Sequence, residues 1–234
     1  MSTINPFIEP LLMTTLLPHV EVETHANPDA SIIWLHGLGA DGHDFEPIVG
    51  QLDLPKNAAI RFIFPHAPSL AVTINNGMVM PAWYDILEMS IERKVDHVQL
   101  KKSVDAIIDF IHHEIDRGIN SDRIIIAGFS QGGAVAFETA LAFPQKLAGL
   151  LALSTYFATK DSILFPPANK NLPIAIHHGE YDPIVPFRLA TDSSELLAAK
   201  GYPVELKNYP MEHSVCRQQI ADIRQWFINV LNIE

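Results

Sequence analysis

The sequence predicts one α/β domain in which a mostly parallel sheet carries helices on both faces. Short, nearly continuous apolar runs alternate along the chain with helical patterns, and this alternation is typical of parallel sheets. The 234 residues also suffice for one large core, since a chain of this size buries roughly 70% of the surface that it exposes when unfolded. We expect the domain to cover residues 18–234, after an extension at residues 1–17 of unknown structure.

Five apolar runs bounded by Gly, Pro or Asn are the predicted strands. Runs of this length and composition suit strands that are covered on both faces. They cover residues 31–35, 60–64, 123–127, 148–153 and 173–177.

The clearest predicted helix covers residues 96–117, where apolar side chains recur with a 3.6-residue period and Gly118 can end the helix. The apolar stripe consists of Leu100, Val104, Ile107, Ile108, Ile111 and Ile115. Further helices are predicted at about 131–142, 187–200 and 216–232.

Two stretches interrupt the alternation. Residues 65–94 contain a predicted hairpin, with strands at 72–74 and 78–80 around the turn Asn75-Asn76-Gly77. Residues 155–172 form a loop rich in Pro and Asn. Long ordered loops often carry function, so both stretches are candidates for parts of a site.

The charge balance argues against nucleic acid and anionic membranes as partners. The chain has 27 acidic and 16 basic residues, a formal net charge of −11, which repels phosphate-rich surfaces. Its single cysteine, Cys216, excludes an internal disulfide, and no apolar run is long enough to span a membrane. The N-terminal residues lack the pattern of a secretory signal. We expect a cytoplasmic protein without integral membrane association, and the sequence leaves a weak homodimer open.

Residues 128–132 read Gly-Phe-Ser-Gln-Gly, between a predicted strand and a predicted helix. This is the context of a nucleophile elbow, in which a sharp turn exposes a serine at the carboxyl edge of the sheet. A serine hydroxyl needs a base to become a nucleophile, and the base needs an orienting group. Ser130 is therefore the candidate nucleophile. The alternative is a glycine-rich packing turn with an incidental serine.

The partners of Ser130 should follow it in the order acid, then histidine. His213 is the candidate base, because it follows plausible acids at a distance that leaves room for another strand and helix. Asp182 is the candidate orienting acid, in a turn directly after the predicted strand 173–177. Of the other acids, Asp161 follows an earlier strand, whereas Asp192 and Asp222 lie in helical patterns.

Acyl transfer also needs hydrogen-bond donors for the oxyanion of the tetrahedral intermediate. One is the backbone N–H of the residue after the nucleophile, Gln131. The second donor is expected from the loop after an early strand, and the glycines of residues 36–39 let the N–H of Leu38 face the site. A plain glycine-rich turn is the alternative for this loop.

Other polar clusters are interpreted as structural. The pairs His112-His113 and His177-His178 lack the spacing of a metal site, so no metal is predicted. Residues 41–44 are interpreted as a polar turn and helix N-cap ahead of Phe45. Cys216 has no elbow and is interpreted as a structural thiol.

The chain contains a series of further motifs: LHGLGADGHDF at 35–45, PHAP at 65–68, VTINNG and MPAWYDI within 72–86, AGFSQGGAVA at 127–136, ALSTY at 152–156, HGEYDPIVP at 178–186 and YPMEHSV at 209–215. Together these motifs resemble the phospholipase/carboxylesterase family, the small α/β-hydrolases that include acyl-protein thioesterases and bacterial carboxylesterases.

The resemblance implies an α/β-hydrolase fold without a large cap domain. It also implies a serine hydrolase that cleaves carboxylic ester or thioester bonds of small or acyl-chain substrates through an acyl-enzyme, without a cofactor. Carried over by position, Ser130, Asp182 and His213 match the triad, and Leu38 and Gln131 match the oxyanion donors. The chain departs from the family at Glu212, where the family usually has Gly before the histidine. Such a carboxylate would favour the imidazolium form of His213 if it pointed into the site.

Leu38, Ile74 and Met78 are predicted to line an apolar groove for the acyl chain. The alternative is that the hairpin covers the core. Two other functions remain open at this point: a non-catalytic binding protein with the same fold, and a lysophospholipase or peptidase on the same scaffold.

Overall fold

The computed structural model describes residues 15–88 and 94–233 of the chain. Its strands are β1 (His19–Glu23), β2 (Ala30–Leu35), β3 (Ile60–Pro65), β4 (Ser69–Val72), β5 (Met78–Pro81), β6 (Ile86–Glu88), β7 (Lys94–Val95), β8 (Ile124–Phe129), β9 (Gly149–Leu153), β10 (Ile174–Gly179) and β11 (Val204–Tyr209). Its helices are α1 (Ile48–Gln51), α2 (His97–Asp116), α3 (Gln131–Ala142), α4 (Phe187–Ala199) and α5 (Arg217–Val230). Short 3₁₀ turns lie at Thr73–Asn75, Ser121–Arg123 and Pro167–Asn169.

Seven strands form the central sheet in the order β1-β3-β2-β8-β9-β10-β11. All neighbours in this sheet pair in parallel except β1, which is antiparallel to β3. The predicted mostly parallel sheet is therefore confirmed. The sequence analysis missed β1 and β11, because both are edge strands with alternating exposed residues rather than continuous apolar runs.

Helices cover both faces of the sheet, as predicted. One apolar cluster joins Ile33 and Leu35 to α2, α3 and α4, and the other joins Ile32 and Trp34 to α1 and α5. Because successive side chains of a strand point to opposite faces, β2 contributes to both clusters. The two small hairpins β4–β5 and β6–β7 lie outside the sheet, and the described residues include no large cap.

Helix α2 shows why the predicted boundaries were accurate to within a few residues. The carboxylate of Asp96 accepts hydrogen bonds from the N–H groups of Val98 and Gln99 at 2.9 and 3.0 Å and caps the start. Gly118, with φ of +98°, follows the end. None of the described helices combines the length and apolar character needed to cross a membrane.

Two local predictions were wrong. In the hairpin, Thr73 and Ile74 form a 3₁₀ turn and the strands are 69–72 and 78–81, because the Asp85 carboxylate accepts from both the N–H and the hydroxyl of Thr73 at 2.7 and 2.6 Å. Asp44 caps no helix: α1 begins only at Ile48, after a series of turns that ends in Pro47.

Candidate active site

Ser130 lies in a sharp turn between the end of β8 and the start of α3, with φ of +53°. A positive φ is uncommon for a residue with a side chain and marks local strain. The flanking glycines permit the turn, since a Cβ on Gly128 would lie 2.5 Å from the Gly132 carbonyl oxygen. A Cβ on Gly132 would lie 2.5 Å from the His36 carbonyl oxygen. The elbow sequence therefore has a steric reason at both glycines.

The structure brings Ser130, His213 and Asp182 together in one hydrogen-bonded chain. The Ser130 Oγ is 3.0 Å from His213 Nε2, and His213 Nδ1 is 2.7 Å from Asp182 Oδ2. Asp182 follows β10 and His213 follows β11, and these strands are parallel neighbours, so both turns open at the same edge of the sheet. The ring of Phe129 lies 4.7 Å from the imidazole, centroid to centroid, and packs against it.

Asp182 is held as a carboxylate. Its side chain is fully buried, which by itself raises the pKa, but the hydrogen bonds from His213 and from the N–H groups of Val185 and Ile184 outweigh burial and hold the pKa below its ordinary value. Those N–H groups lie 2.8 and 2.9 Å from Oδ1. The two oxygens have different tasks: Oδ1 fixes the turn, and Oδ2 faces the histidine.

The loop that follows β2 also lies beside the turn that carries Ser130. Within residues 15–88 and 94–233, the backbone N–H groups of Leu38 and Gln131 have no hydrogen-bond acceptor, and both residues line the cavity that contains Ser130. Unsatisfied N–H groups beside a nucleophile suit an oxyanion site.

His36 holds this loop in place. Its Nε2 accepts the Ala67 N–H at 3.1 Å, its Nδ1 lies 2.8 Å from the Gly37 carbonyl oxygen, and the Trp83 indole donates to the His36 carbonyl at 2.9 Å. Burial lowers the pKa of His36, so the ring is neutral with its proton on Nδ1.

A cavity of about 320 Å³ opens beside Ser130 and His213. Its apolar lining consists of Leu38, Ala40, Ile74, Ile86, Phe129 and Ile184, and Tyr156 and Asp44 line it as well. The size and lining suit a small apolar group bound next to the serine hydroxyl.

Comparison with known proteins identifies the family. The model of the phospholipase/carboxylesterase family matches residues 17–232. This chain belongs to that family. Its members are hydrolases of ester-type bonds, and the resemblance found in the sequence is confirmed.

The similarity extends over most of the chain in two curated relatives and one solved structure. Acyl-protein thioesterase 1 of Neurospora crassa is 38% identical over 220 residues, which cover 89% of this chain and 90% of that protein. Acyl-protein thioesterase 1 of Cryptococcus neoformans var. neoformans serotype D is 33% identical over 243 residues, 94% of this chain and 100% of that protein. The crystal structure of Arabidopsis thaliana SOBER1 has a TM-score of 0.80 at 32% identity and covers 86% of this chain and 99% of that one.

Of the predicted groove residues, Leu38 and Ile74 line the cavity, but the structure does not bring Met78 to it. Met78 is 63% exposed at the start of β5. Met80, two residues further along β5, lies near the loop after β2 instead: a Cβ on Gly39 would be 3.7 Å from its sulfur. The hairpin therefore contributes its 3₁₀ turn, rather than this strand residue, to the cavity wall.

Glu212, the departure from the family pattern, is exposed and is not among the residues that line the cavity beside Ser130. Its backbone is what packs closely, because Gly179 leaves room for the carbonyls of Met211 and Glu212 where a Cβ would clash. The Glu212 carbonyl also accepts the Ser214 N–H at 2.9 Å. The close contacts at Glu212 are thus made by the main chain of the loop that leads to His213.

Sequence reasoning missed two side chains that support the site. Gln131 accepts from the Trp83 N–H at 2.9 Å and donates to the Tyr84 carbonyl at 2.6 Å, which ties the elbow to residues 83–84. His178 has Nε2 2.7 Å from the Val185 carbonyl and 3.4 Å from Asp182 Oδ2. Burial lowers the pKa of His178, so it contacts the Asp182 turn as a neutral ring. Both residues lie within the motifs at 127–136 and 178–186, and that position was the only sequence signal for their side chains.

The other histidine pair lies apart from the site. His112 and His113 are exposed on α2. In the part of the chain that the structure describes, no three His, Cys, Asp or Glu side chains are grouped as metal ligands would be.

Proposed function

We propose that the chain hydrolyses carboxylic ester or thioester bonds through an acyl-enzyme, with Ser130 as nucleophile, His213 as base and Asp182 as orienting acid. The observation that carries the proposal is the chain of contacts Ser130 Oγ to His213 Nε2 at 3.0 Å and His213 Nδ1 to Asp182 Oδ2 at 2.7 Å. The first distance is within reach for proton transfer from Ser130 to His213, and the second lets Asp182 orient the imidazole.

In the first half of the reaction, His213 Nε2 takes the Ser130 proton while Oγ attacks the acyl carbonyl carbon. The carbonyl electrons move onto oxygen, and the N–H groups of Leu38 and Gln131 stabilise that oxyanion. When the intermediate collapses, the bond to the leaving alkoxide or thiolate breaks, and the imidazolium returns its proton to the leaving group. The acyl group is then bonded to Ser130.

In the second half, His213 takes a proton from water, and the resulting hydroxide attacks the acyl-enzyme. Collapse of this intermediate releases the carboxylic acid and gives the proton back to Ser130. Asp182 stays ionised throughout, because its pKa is held low, and its negative charge stabilises the imidazolium that forms in each half. No step requires a cofactor.

The substrate class that we propose is an acyl ester or thioester with an apolar acyl group. The apolar cavity beside Ser130 supports this, as does the similarity to proteins named acyl-protein thioesterases. We propose the cytoplasm as the compartment, which agrees with a chain that holds a single cysteine.

The decisive experiment combines active-site labelling with turnover. The purified chain is treated with a fluorophosphonate probe and assayed on p-nitrophenyl butyrate and on butyryl thiocholine. We expect covalent labelling and turnover in the wild type and neither in Ser130→Ala. Ser69→Ala, at an exposed position in β4, serves as the matched control and should behave as the wild type. Turnover that persists in Ser130→Ala would contradict the proposed mechanism. A wild type that neither labels nor turns over would favour the non-catalytic binding protein.

A further inference from the structure

A second cavity of about 600 Å³ lies next to the first. Among the described residues, Tyr156 alone lines both cavities. It is buried, at 5% exposure, and its place in both linings puts it between the two spaces. The cavity beside Ser130 therefore ends, on this side, at one aromatic residue.

Tyr156 is fixed in this position through the elbow itself. Its hydroxyl is 2.7 Å from the hydroxyl of Tyr84, which is completely buried. The Tyr84 carbonyl accepts the Gln131 side-chain N–H at 2.6 Å, and Gln131 is the residue directly after Ser130. Because Tyr156 is connected by hydrogen bonds through Tyr84 to the turn that carries Ser130, a substrate displaces it less readily than a side chain without such bonds.

The first cavity has a limited capacity. Its volume is about 320 Å³, whereas the second cavity has about 600 Å³. Only acyl chains of limited length therefore fit beside Ser130. A longer chain must leave the cavity or displace Tyr156.

We propose that Tyr156 is the residue that sets the longest acyl chain the site encloses, by separating the cavity beside Ser130 from the second cavity. The proposal rests on the proposed function, because it takes the acyl group to occupy the cavity beside Ser130. Tyr156 acts on specificity and not on the chemical step, since it makes none of the contacts among Ser130, His213 and Asp182.

The second cavity offers space for a longer chain once the partition is removed. Phe157, Ala158 and Leu189 supply apolar lining there, and charged side chains such as Arg188 and Asp192 line it as well. The longer chain gains contact with the apolar members, while the charged ones limit the gain. We therefore expect a moderate change in selectivity rather than a new optimum at very long chains.

The test is a series of p-nitrophenyl esters from butyrate to palmitate, measured below their micelle concentrations. In the wild type, kcat/KM should rise with chain length, pass through a maximum before palmitate and fall beyond it. In Tyr156→Ala, the ratio of kcat/KM for laurate to that for butyrate should rise about tenfold. Tyr156→Phe keeps the ring and loses the hydroxyl that bonds to Tyr84, so this ratio should rise by clearly less than in Tyr156→Ala.

Fluorophosphonate titration of Ser130 counts the folded sites in each variant, so that partial unfolding does not distort the ratios. The double variant Tyr156→Ala/Ala158→Phe, which refills the second cavity, should return the ratio toward the wild type.

An unchanged ratio in titrated Tyr156→Ala overturns the proposal. If that variant fails to fold, a wild type with equal kcat/KM on decanoate and palmitate overturns it without any substitution. Failure of the proposed function looks different, since the wild type would then show no labelling that depends on Ser130.

Discussion

Buried charged side chains lie at both ends of the central sheet, and the two groups differ in a way that separates chemistry from structure. At the carboxyl edge, buried Asp182 contacts His213, whose side chain is 17% exposed and borders an open cavity. At the amino edge, fully buried Glu114 lies 2.7 Å from Arg61 Nη1 and 3.1 Å from Arg117 Nη1, and the Ser31 hydroxyl also donates to it. Both groups contain a carboxylate held by cationic or polar partners.

The difference lies in the partner and in the access to solvent. A guanidinium keeps its charge at any relevant pH, and the hydrogen bonds to Glu114 and Glu23 outweigh burial and raise the pKa of Arg61 further. An imidazole gains and loses a proton near neutrality, and His213 presents its second nitrogen to Ser130. The amino-edge group can therefore hold the fold together, whereas the carboxyl-edge group can move a proton.

The largest expected effect comes from a substitution that disrupts the carboxyl-edge group. Asp182→Asn should lower kcat by about 10³–10⁴-fold, because the amide no longer stabilises the imidazolium or fixes the tautomer. KM should change little. The measurement is steady-state turnover on p-nitrophenyl butyrate, normalised to labelled sites. Asp161→Asn, an exposed aspartate outside the triad, is the control and should keep turnover within about twofold. A loss of less than tenfold in Asp182→Asn would remove this residue from the proposed mechanism.

The second prediction concerns a substitution that disrupts the amino-edge group. Glu114→Ala leaves the buried Arg61 without its main partner, and removing one member of a buried ion pair costs about 3–5 kcal/mol of the free energy of unfolding. Turnover per folded molecule should not change. Urea unfolding measures the first quantity and titrated activity the second.

Asp105→Asn on the same helix α2 removes an exposed pair with Lys101 and should cost no more than about 1 kcal/mol. If Glu114→Ala lowered kcat per labelled site, the amino-edge group would affect turnover, and the assignment of this group to stability alone would be wrong.

The third prediction concerns a buried histidine that takes no part in the triad. Burial lowers the pKa of His177 to about 4, and nearby Lys207 adds to the effect. The unfolded state, with an ordinary histidine pKa near 6.5, binds this proton more readily, so His177 supports full stability above about pH 6.5. As the pH falls from about 6.5 to 4, the wild type should lose about 3 kcal/mol of unfolding free energy through this residue.

His177→Phe removes the titration and should show a flatter loss of stability between pH 6.5 and 4, measured by urea unfolding at each pH. The Tyr209 hydroxyl keeps its hydrogen bond to Asp222 at 2.8 Å in this variant. His25→Phe, at an exposed position, should follow the wild-type curve. Parallel curves for the wild type and His177→Phe would show that His177 does not titrate between the two states.

The smallest expected effect concerns Glu212, beside the catalytic candidate. Its side chain is exposed, so solvent screens its interaction with His213. Glu212→Gly should leave kcat/KM within about twofold and move the acid limb of its pH profile by no more than a few tenths of a pH unit. A larger movement of that limb toward lower pH would show that the carboxylate reaches the imidazole in solution.

The sequence by itself determined the alternation of strands and helices, the elbow around Ser130 and the order of the triad candidates. These features are local. A run of apolar residues indicates a strand that is buried on both faces, and two glycines that flank a serine indicate a turn with no room for their Cβ atoms. The same reasoning failed at β1 and β11, because an edge strand is only half buried and its alternating pattern is weaker. The N-terminal extension at residues 1–17 lies mostly outside the described residues.

Only the tertiary structure decided which side chains face the cavity. Ile74 lines it because Asp85, 12 positions after Thr73, folds the hairpin tip into a 3₁₀ turn, and Met78 is left exposed. The backbone at Glu212 packs closely on Gly179, a residue 33 positions earlier in β10, and its side chain is exposed. Tyr156 meets Tyr84 across 72 positions of sequence. The periodicity of one segment reports how that segment is buried, whereas contacts between distant segments depend on how all the elements pack, so no local pattern encodes them.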